Sequence, residues 1–312
     1  MALDPVVQAM FDSMPDMPNY PMWKHTPAEA RHAFKQFCEF AVPPAAAIGK
    51  TENLQIAGPA GSLPLRVYTP VAAGGAALPA IVFFHGGGFV VGDLDCYDTL
   101  CRNLANDAGV RVIAVDYRLA PEHPFPAAVE DCFAALKWVE ANAPDLGVDP
   151  NRIAVAGDSA GGNLAAVMCL LAKENKGNPH IGFQLLIYPA LGYGRGGSEK
   201  EFGENYYLTA KTIDWLMAQY LPKDADRRDP RIAPLAAKDF AGLPPAYIVT
   251  AGYDPLRDGA IVYAEKLKAA GVAATHIDYP TMIHGFMNMQ VLIPLGNEAL
   301  AAAAAAVKTA LQ

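Results

Sequence analysis

The sequence predicts an α/β protein built on a mostly parallel, doubly wound sheet, and three observations carry that prediction. From about residue 63 short β-rich runs alternate with longer stretches of helical spacing. Several runs are apolar on both faces, as strands covered by helices on each side must be. One run ends in AVAGDSAGGN, residues 154–163, where a serine stands among small residues between a strand and a helix. Such βα alternation gives parallel strands joined by right-handed crossovers.

In chain order the runs are LPLRVYT, AIVFF, RVIAVDY, IAVAG, FQLLIYP, AYIVTA and THIDY. Between them AAVEDCFAALKWVEANA and DGAIVYAEKLKAAG have the length and apolar spacing of amphipathic helices. The Ala-rich end, NEALAAAAAAVKTALQ, reads as a final helix, because Ala has the highest helix propensity. Residues 1–50 and 190–235 stand outside the alternation, each with one plausible helix, TPAEARHAFKQFCEF and TAKTIDWLMAQYL. They are expected to form the two parts of a helical cap over a core of residues 51–189 and 236–312.

Composition narrows the function. The 312 residues are 52% hydrophobic, enough for a large core, and the net charge is −8 without any basic run. Nucleic acid needs clustered Lys and Arg, so it is not an expected partner. The opening MALDPVVQAM lacks the basic start and apolar core of a signal peptide, and the apolar stretch LPAIVFFHGGGFVVG is broken by His85 and three glycines. A soluble, cytoplasmic protein is expected, monomer or homodimer, with no membrane partner and a small-molecule substrate. Cys38, Cys96, Cys101, Cys132 and Cys169 show no C-x-x-C spacing and read as reduced core thiols.

The serine has a mechanical explanation. In G-x-S-x-G the chain turns so sharply that bulky neighbours would clash, and the hydroxyl is presented at the carboxyl edge of the sheet. Gly157 and Gly161 supply the room for Ser159, and a helix from about Ala160 brings N–H groups and positive dipole character beside it. In folds with such an elbow an acid and then a histidine follow the serine. His284, in the loop after THIDY, fits the base; His276, inside that run, fits a structural role. Asp254, just past AYIVTAGY, fits the acid, while Asp258 one turn later suits the start of a helix. In FFHGGGFVVGD the glycines 86–88 let backbone N–H groups approach a ligand closely, as an oxyanion hole requires.

On these residues the sequence resembles the hormone-sensitive-lipase-like esterases of the α/β-hydrolase superfamily, also called bacterial family IV. The resemblance spans nearly the whole chain and rests on HGGGFVVGD, VDYRLAPEHPFPAAVED, GDSAGGN, DPLRD and HGF. The opening LDPVVQAM is similar to the start of the family's thermophilic carboxylesterases. The resemblance implies an α/β-hydrolase fold, a triad of Ser159, Asp254 and His284, and oxyanion donors from the backbone of Gly87, Gly88 and Ala160. It also implies a cap made of the N-terminal region and an insertion after the sixth strand, a loop-holding role for His85, and no metal or organic cofactor. Phe89 stands where many members have Trp and is expected as an aromatic wall of the pocket. Trp23, Trp215 and Met217 are expected to bury the acyl chain. The implied activity is hydrolysis of short- to medium-chain carboxylic esters through an acyl-enzyme. The alternatives are an interfacial lipase or an amidase with the same triad, and a non-catalytic ligand-binding member of the fold, which the presence of His284 disfavours.

Overall fold

The computed structural model describes residues 2–192 and 197–312; residues 193–196, inside the expected insertion, lie outside the described residues. The chain opens with helices α1 (Pro5–Ser13) and α2 (Pro27–Ala41). Asp4 caps α1 by accepting the Val6 N–H at 2.8 Å. Thr26 and Glu29 cap α2 reciprocally, with Pro27 at the first helical position, where a missing N–H costs nothing.

A hairpin follows, β1 (Lys50–Gly58) and β2 (Gly61–Thr69), and then β3 (Leu78–Phe84), α3 (Asp98–Ala108), β4 (Arg111–Val115), α4 (Ala127–Ala141), β5 (Val148–Asp158) and α5 (Ala160–Glu174). The second half runs β6 (Phe183–Ile187), α6 (Ser198–Phe202), α7 (Ala210–Tyr220), β7 (Ala246–Tyr253), α8 (Arg257–Ala269), β8 (Ala274–Ile283) and α9 (Leu295–Ala310). The eight strands form one sheet in the order β1-β2-β4-β3-β5-β6-β7-β8. From β4 through β8 neighbours pair in parallel, whereas β1 and β2 are antiparallel. The expected sheet is therefore present, with β1 added at its edge. Its residues KTENLQIAG keep one face wet, so they lack the doubly apolar signature of the other strands.

Alternate side chains of the central strands feed two cores. Val82, Phe84, Val155, Leu186 and Ile248 pack with α4, α5 and α8. Ile81, Phe83, Ala154, Ala156, Leu185 and Val249 pack with α1, α3 and α9. Because β3, β5, β6, β7 and β8 are adjacent and parallel, their carboxyl ends open onto one common edge, where ligands of open α/β sheets bind.

Candidate active site

Ser159 follows the last residue of β5 with φ 53° and ψ −115°, a left-handed conformation that side chains rarely adopt. Its neighbours make the turn possible. A Cβ on Gly161 would run into Phe84 O, and one on Gly157 would run into the Gly161 backbone. The Ser159 N–H donates to Ile187 O at 2.9 Å, which ties the turn to β6.

Asp254 and His284 arrive from the ends of β7 and β8. Asp254 is 1% exposed, and its Oδ1 accepts the Leu256 N–H at 2.8 Å. Its Oδ2 lies 2.7 Å from His284 Nδ1, and His284 Nε2 lies 3.0 Å from Ser159 Oγ. A carboxylate can only accept, so Nδ1 carries the proton and Nε2 is left to accept from the serine hydroxyl. The Tyr188 ring packs against the imidazole with centroids 4.9 Å apart.

The loop after β3 is pinned at several backbone atoms. Gly86 N–H donates to Asp158 Oδ1 at 2.7 Å, Tyr117 OH donates to His85 O at 2.7 Å, and the Val91 N–H donates to Gly87 O at 3.0 Å. His85 Nδ1 pairs with Gly86 O at 2.7 Å, and its ring stacks on Tyr117. Burial pushes the imidazole of His85 down to about 4, so it sits there neutral. His85 thus holds the loop. Gly87 and Gly88 have φ of 112° and 61°, and a Cβ on either would strike Val91 O or Leu216. Among the described residues no protein acceptor takes the N–H of Gly87, Gly88 or Ala160.

Ser159, His284, Gly87 and Gly88 line a cavity of about 330 Å³, with Asp254 behind His284 and Ala160 next to Ser159 in the chain. His276 stands apart in a network with Thr250, Asp278 and Arg257. Asp258 lies in the first turn of α8 and accepts the Ser198 N–H at 2.8 Å, binding the inserted segment to the core. Both expected cap segments line the cavity, residues 1–50 through Met17, Met22 and Phe34, and the insertion through Tyr207, Thr212 and Leu216. Trp23, Trp215 and Met217 do not line it. Trp23 faces Lys211, and Met217 points into the core beneath α7. Phe89 is also off the cavity, because its left-handed backbone turns its ring face to face with Tyr220 at 3.8 Å.

Sequence patterns alone do not single out Asp158, Tyr188, Tyr207, Leu216 or Asn288. Only Asp158 carries a sequence signal, its place beside the serine. Burial pushes its carboxyl up to about 6, and Tyr97 OH at 3.1 Å and the Gly86 N–H counter that rise.

A mostly parallel sheet with a strained serine at the end of β5, a buried carboxylate at the end of β7 and a histidine at the end of β8 defines the α/β-hydrolase class. The chain belongs to that family: the α/β-hydrolase fold model matches residues 81–288. Within it the chain stands with the hormone-sensitive-lipase-like esterases. It is 46% identical over 266 residues to the carboxylic ester hydrolase LipN of Mycobacterium tuberculosis, covering 83% of this chain and 70% of the relative. Among solved structures, an ester hydrolase from the metagenome of Lake Arreo, complexed with a bipyridine phosphonate derivative, superposes with a TM-score of 0.95 at 40% identity, covering 98% of each chain. The Pyrobaculum calidifontis esterase gives 0.92 at 40% identity, covering 99% of this chain and all of its own.

Proposed function

We infer that the protein is a serine carboxylesterase acting on small esters of short- to medium-chain acids. The observation that carries this is the run of hydrogen bonds from Asp254 through His284 to Ser159, beside backbone N–H groups with no partner among the described residues. In the mechanism it supports, His284 Nε2 takes the hydroxyl proton as Ser159 Oγ bonds to the ester carbonyl carbon. The carbonyl oxygen becomes an oxyanion and is received by the N–H groups of Gly87, Gly88 and Ala160. Asp254 fixes the tautomer and stabilises the imidazolium. His284 then returns the proton to the departing alcohol, leaving an acyl-Ser159, and the same imidazole deprotonates the water that releases the acid.

The residues 1–50 and 190–235 act together as the cap that shapes the acyl site, and the five free, buried thiols suit a cytoplasmic setting. No helix among the described residues is long and apolar enough to cross a membrane. A panel of p-nitrophenyl esters of increasing acyl length tests the reading, with initial rates followed past each substrate's solubility limit. The expected result is simple saturation with a preference for short and medium chains. Acceleration beyond the solubility limit would identify an interfacial lipase, and turnover of the matching anilides at comparable rates would identify an amidase.

A further inference from the structure

The cavity wall beside His284 holds two side-chain oxygens, of Asn288 and Tyr207, that have no hydrogen-bond partner among the described residues. Asn288 ends the short helical turn after His284, with its N–H bonded to Gly285 O at 2.9 Å. Its side chain lines the cavity and is 8% exposed, and its Oδ1 is shut off from solvent without a partner. Tyr207 lines the same wall: a Cβ on Gly285 would touch Tyr207 Cε1 at 3.5 Å. No hydrogen bond among the described residues takes up its hydroxyl.

Tyr207 is also held there against its backbone preference. Its φ is 74°, a region in which a bulky side chain is strained, and Asn205 two residues earlier has φ 70°. Both cap segments enforce the conformation. Tyr207 N–H donates to Pro18 O at 2.9 Å, and Asn205 exchanges hydrogen bonds of 2.7 and 2.9 Å with Asn19. The constraint fixes the ring in the cavity wall.

Asn288 lies in the turn after His284 and Tyr207 lies against Gly285, whereas the wall at Gly88 is covered by the Leu216 isobutyl group. In acyl transfer the departing oxygen must come within reach of the imidazole that protonates it, so the alcohol part of an ester extends along the histidine side. We propose that this wall selects esters whose alcohol carries a free hydroxyl close to the ester oxygen, that is, monoesters of short diols and polyols, with Asn288 and Tyr207 holding that hydroxyl. The proposal rests on the esterase reading above. A hydroxyl donates and accepts at once, so it can satisfy the carboxamide and the phenol together once the amide, which no bond to its oxygen restrains, turns that oxygen to the cavity. An alkyl group in its place leaves the carboxamide oxygen unmatched and displaces water from the phenol, and that mismatch discriminates.

The test compares kcat/KM for ethylene glycol monobutyrate and propyl butyrate, which differ only by hydroxyl for methyl, measured by pH-stat titration. Wild type should favour the glycol ester by about tenfold, the order of one net hydrogen bond. Asn288→Leu and Tyr207→Phe should each bring the ratio towards parity. The ratio is taken within one protein, so a general loss of activity or stability in either variant does not disturb it. Ethyl lactate against ethyl isobutyrate places the same exchange on the acyl side, where parity is expected. The proposal is overturned by parity for the glycol ester in wild type, by a preference that survives both substitutions, or by a preference confined to the acyl pair. Failure of the esterase reading is distinguishable, since wild type would then hydrolyse neither butyrate nor p-nitrophenyl butyrate.

Discussion

Ser159 is held at φ 53° because the turn presents its hydroxyl to His284 Nε2, 3.0 Å away. Backbone strain of this kind costs on the order of 1–3 kcal/mol and persists only where surrounding structure fixes it. Alanine tolerates the position as well as serine does, so Ser159→Ala should keep the fold and lose roughly 10⁴-fold or more in kcat. His284→Ala should behave similarly, and His276→Ala should retain most activity, since His276 bonds to Thr250 at 2.8 Å, outside the Ser159–His284–Asp254 chain. Steady-state kinetics on the three purified variants decide the assignment, and the reverse order for the two histidines would refute it.

Two buried groups beside the same loop respond to acid in opposite senses. Burial raises the Asp158 carboxyl from 3.8 to about 6, so the folded state holds a proton that the unfolded chain has lost. The stability contributed by this group is present in acid and disappears as pH rises through about 6. Burial lowers the His85 imidazole from 6.5 to about 4, so its contribution is present at neutral pH and disappears as pH falls below 6.5. Each shift corresponds to ~3 kcal/mol, and between about pH 4 and 6 the two oppose each other. Asp158→Asn removes the first alone. The variant should therefore lose Tm on acidification from pH 7 to about 4.5 by a few degrees more than wild type. Parallel Tm curves for the two proteins would show that the pair does not set the acid stability.

At the scale of elements, the elbow was legible because the constraint is local: one strand, one turn, one helix, and glycines where a Cβ has no space. Gly161→Ala tests that claim, since its Cβ would collide with Phe84 O and force β3 and α5 apart. A loss of about 3 kcal/mol or more is expected, the upper end of overpacking, because the backbone it meets cannot yield. Gly182→Ala is the control, because its nearest neighbour would be Ile153 O at 3.6 Å, an ordinary contact. Chemical denaturation should give a much lower midpoint for Gly161→Ala and little change for Gly182→Ala. Strand β1 was not legible, because Glu52, Asn53 and Gln55 make it read as a polar connection, and only its pairing with β2 defines it. Asn288 and Tyr207 were invisible for a related reason. A missing hydrogen-bond partner is a property of the folded surroundings and leaves no trace in residue spacing. Trp23 and Trp215 mislead in the opposite direction, since size and apolarity suggest a pocket wall but not which way the helix face turns.

At the scale of the whole molecule, the N-terminal segment is fastened to the catalytic half at several points. Arg31 donates to Val90 O and Ala120 O at 2.8 Å and pairs with Glu122, while Lys35 pairs with Asp93 and Asp95 at 3.0 Å. Its Met17, Met22 and Phe34 face the cavity that holds Ser159. An acyl chain gains on the order of 0.8 kcal/mol, about fourfold in kcat/KM, for each methylene that finds apolar wall, and nothing once the wall ends. With these side chains in place, acyl groups of roughly four to eight carbons should be preferred over shorter and longer ones. Deleting residues 1–35 removes that wall and the Arg31 and Lys35 ties but leaves β1–β8 and the residues at their ends in the chain. The truncated protein should show a raised KM for the hexanoate ester and a flattened chain-length profile, with kcat for the acetate ester, which needs little wall, much less affected. Exposure of the underlying apolar surface should also make it more prone to aggregate, so the profile is to be measured on the monodisperse fraction from size exclusion. A monodisperse truncated enzyme with the full-length profile would show that the inserted segment around Leu216 shapes the acyl site by itself.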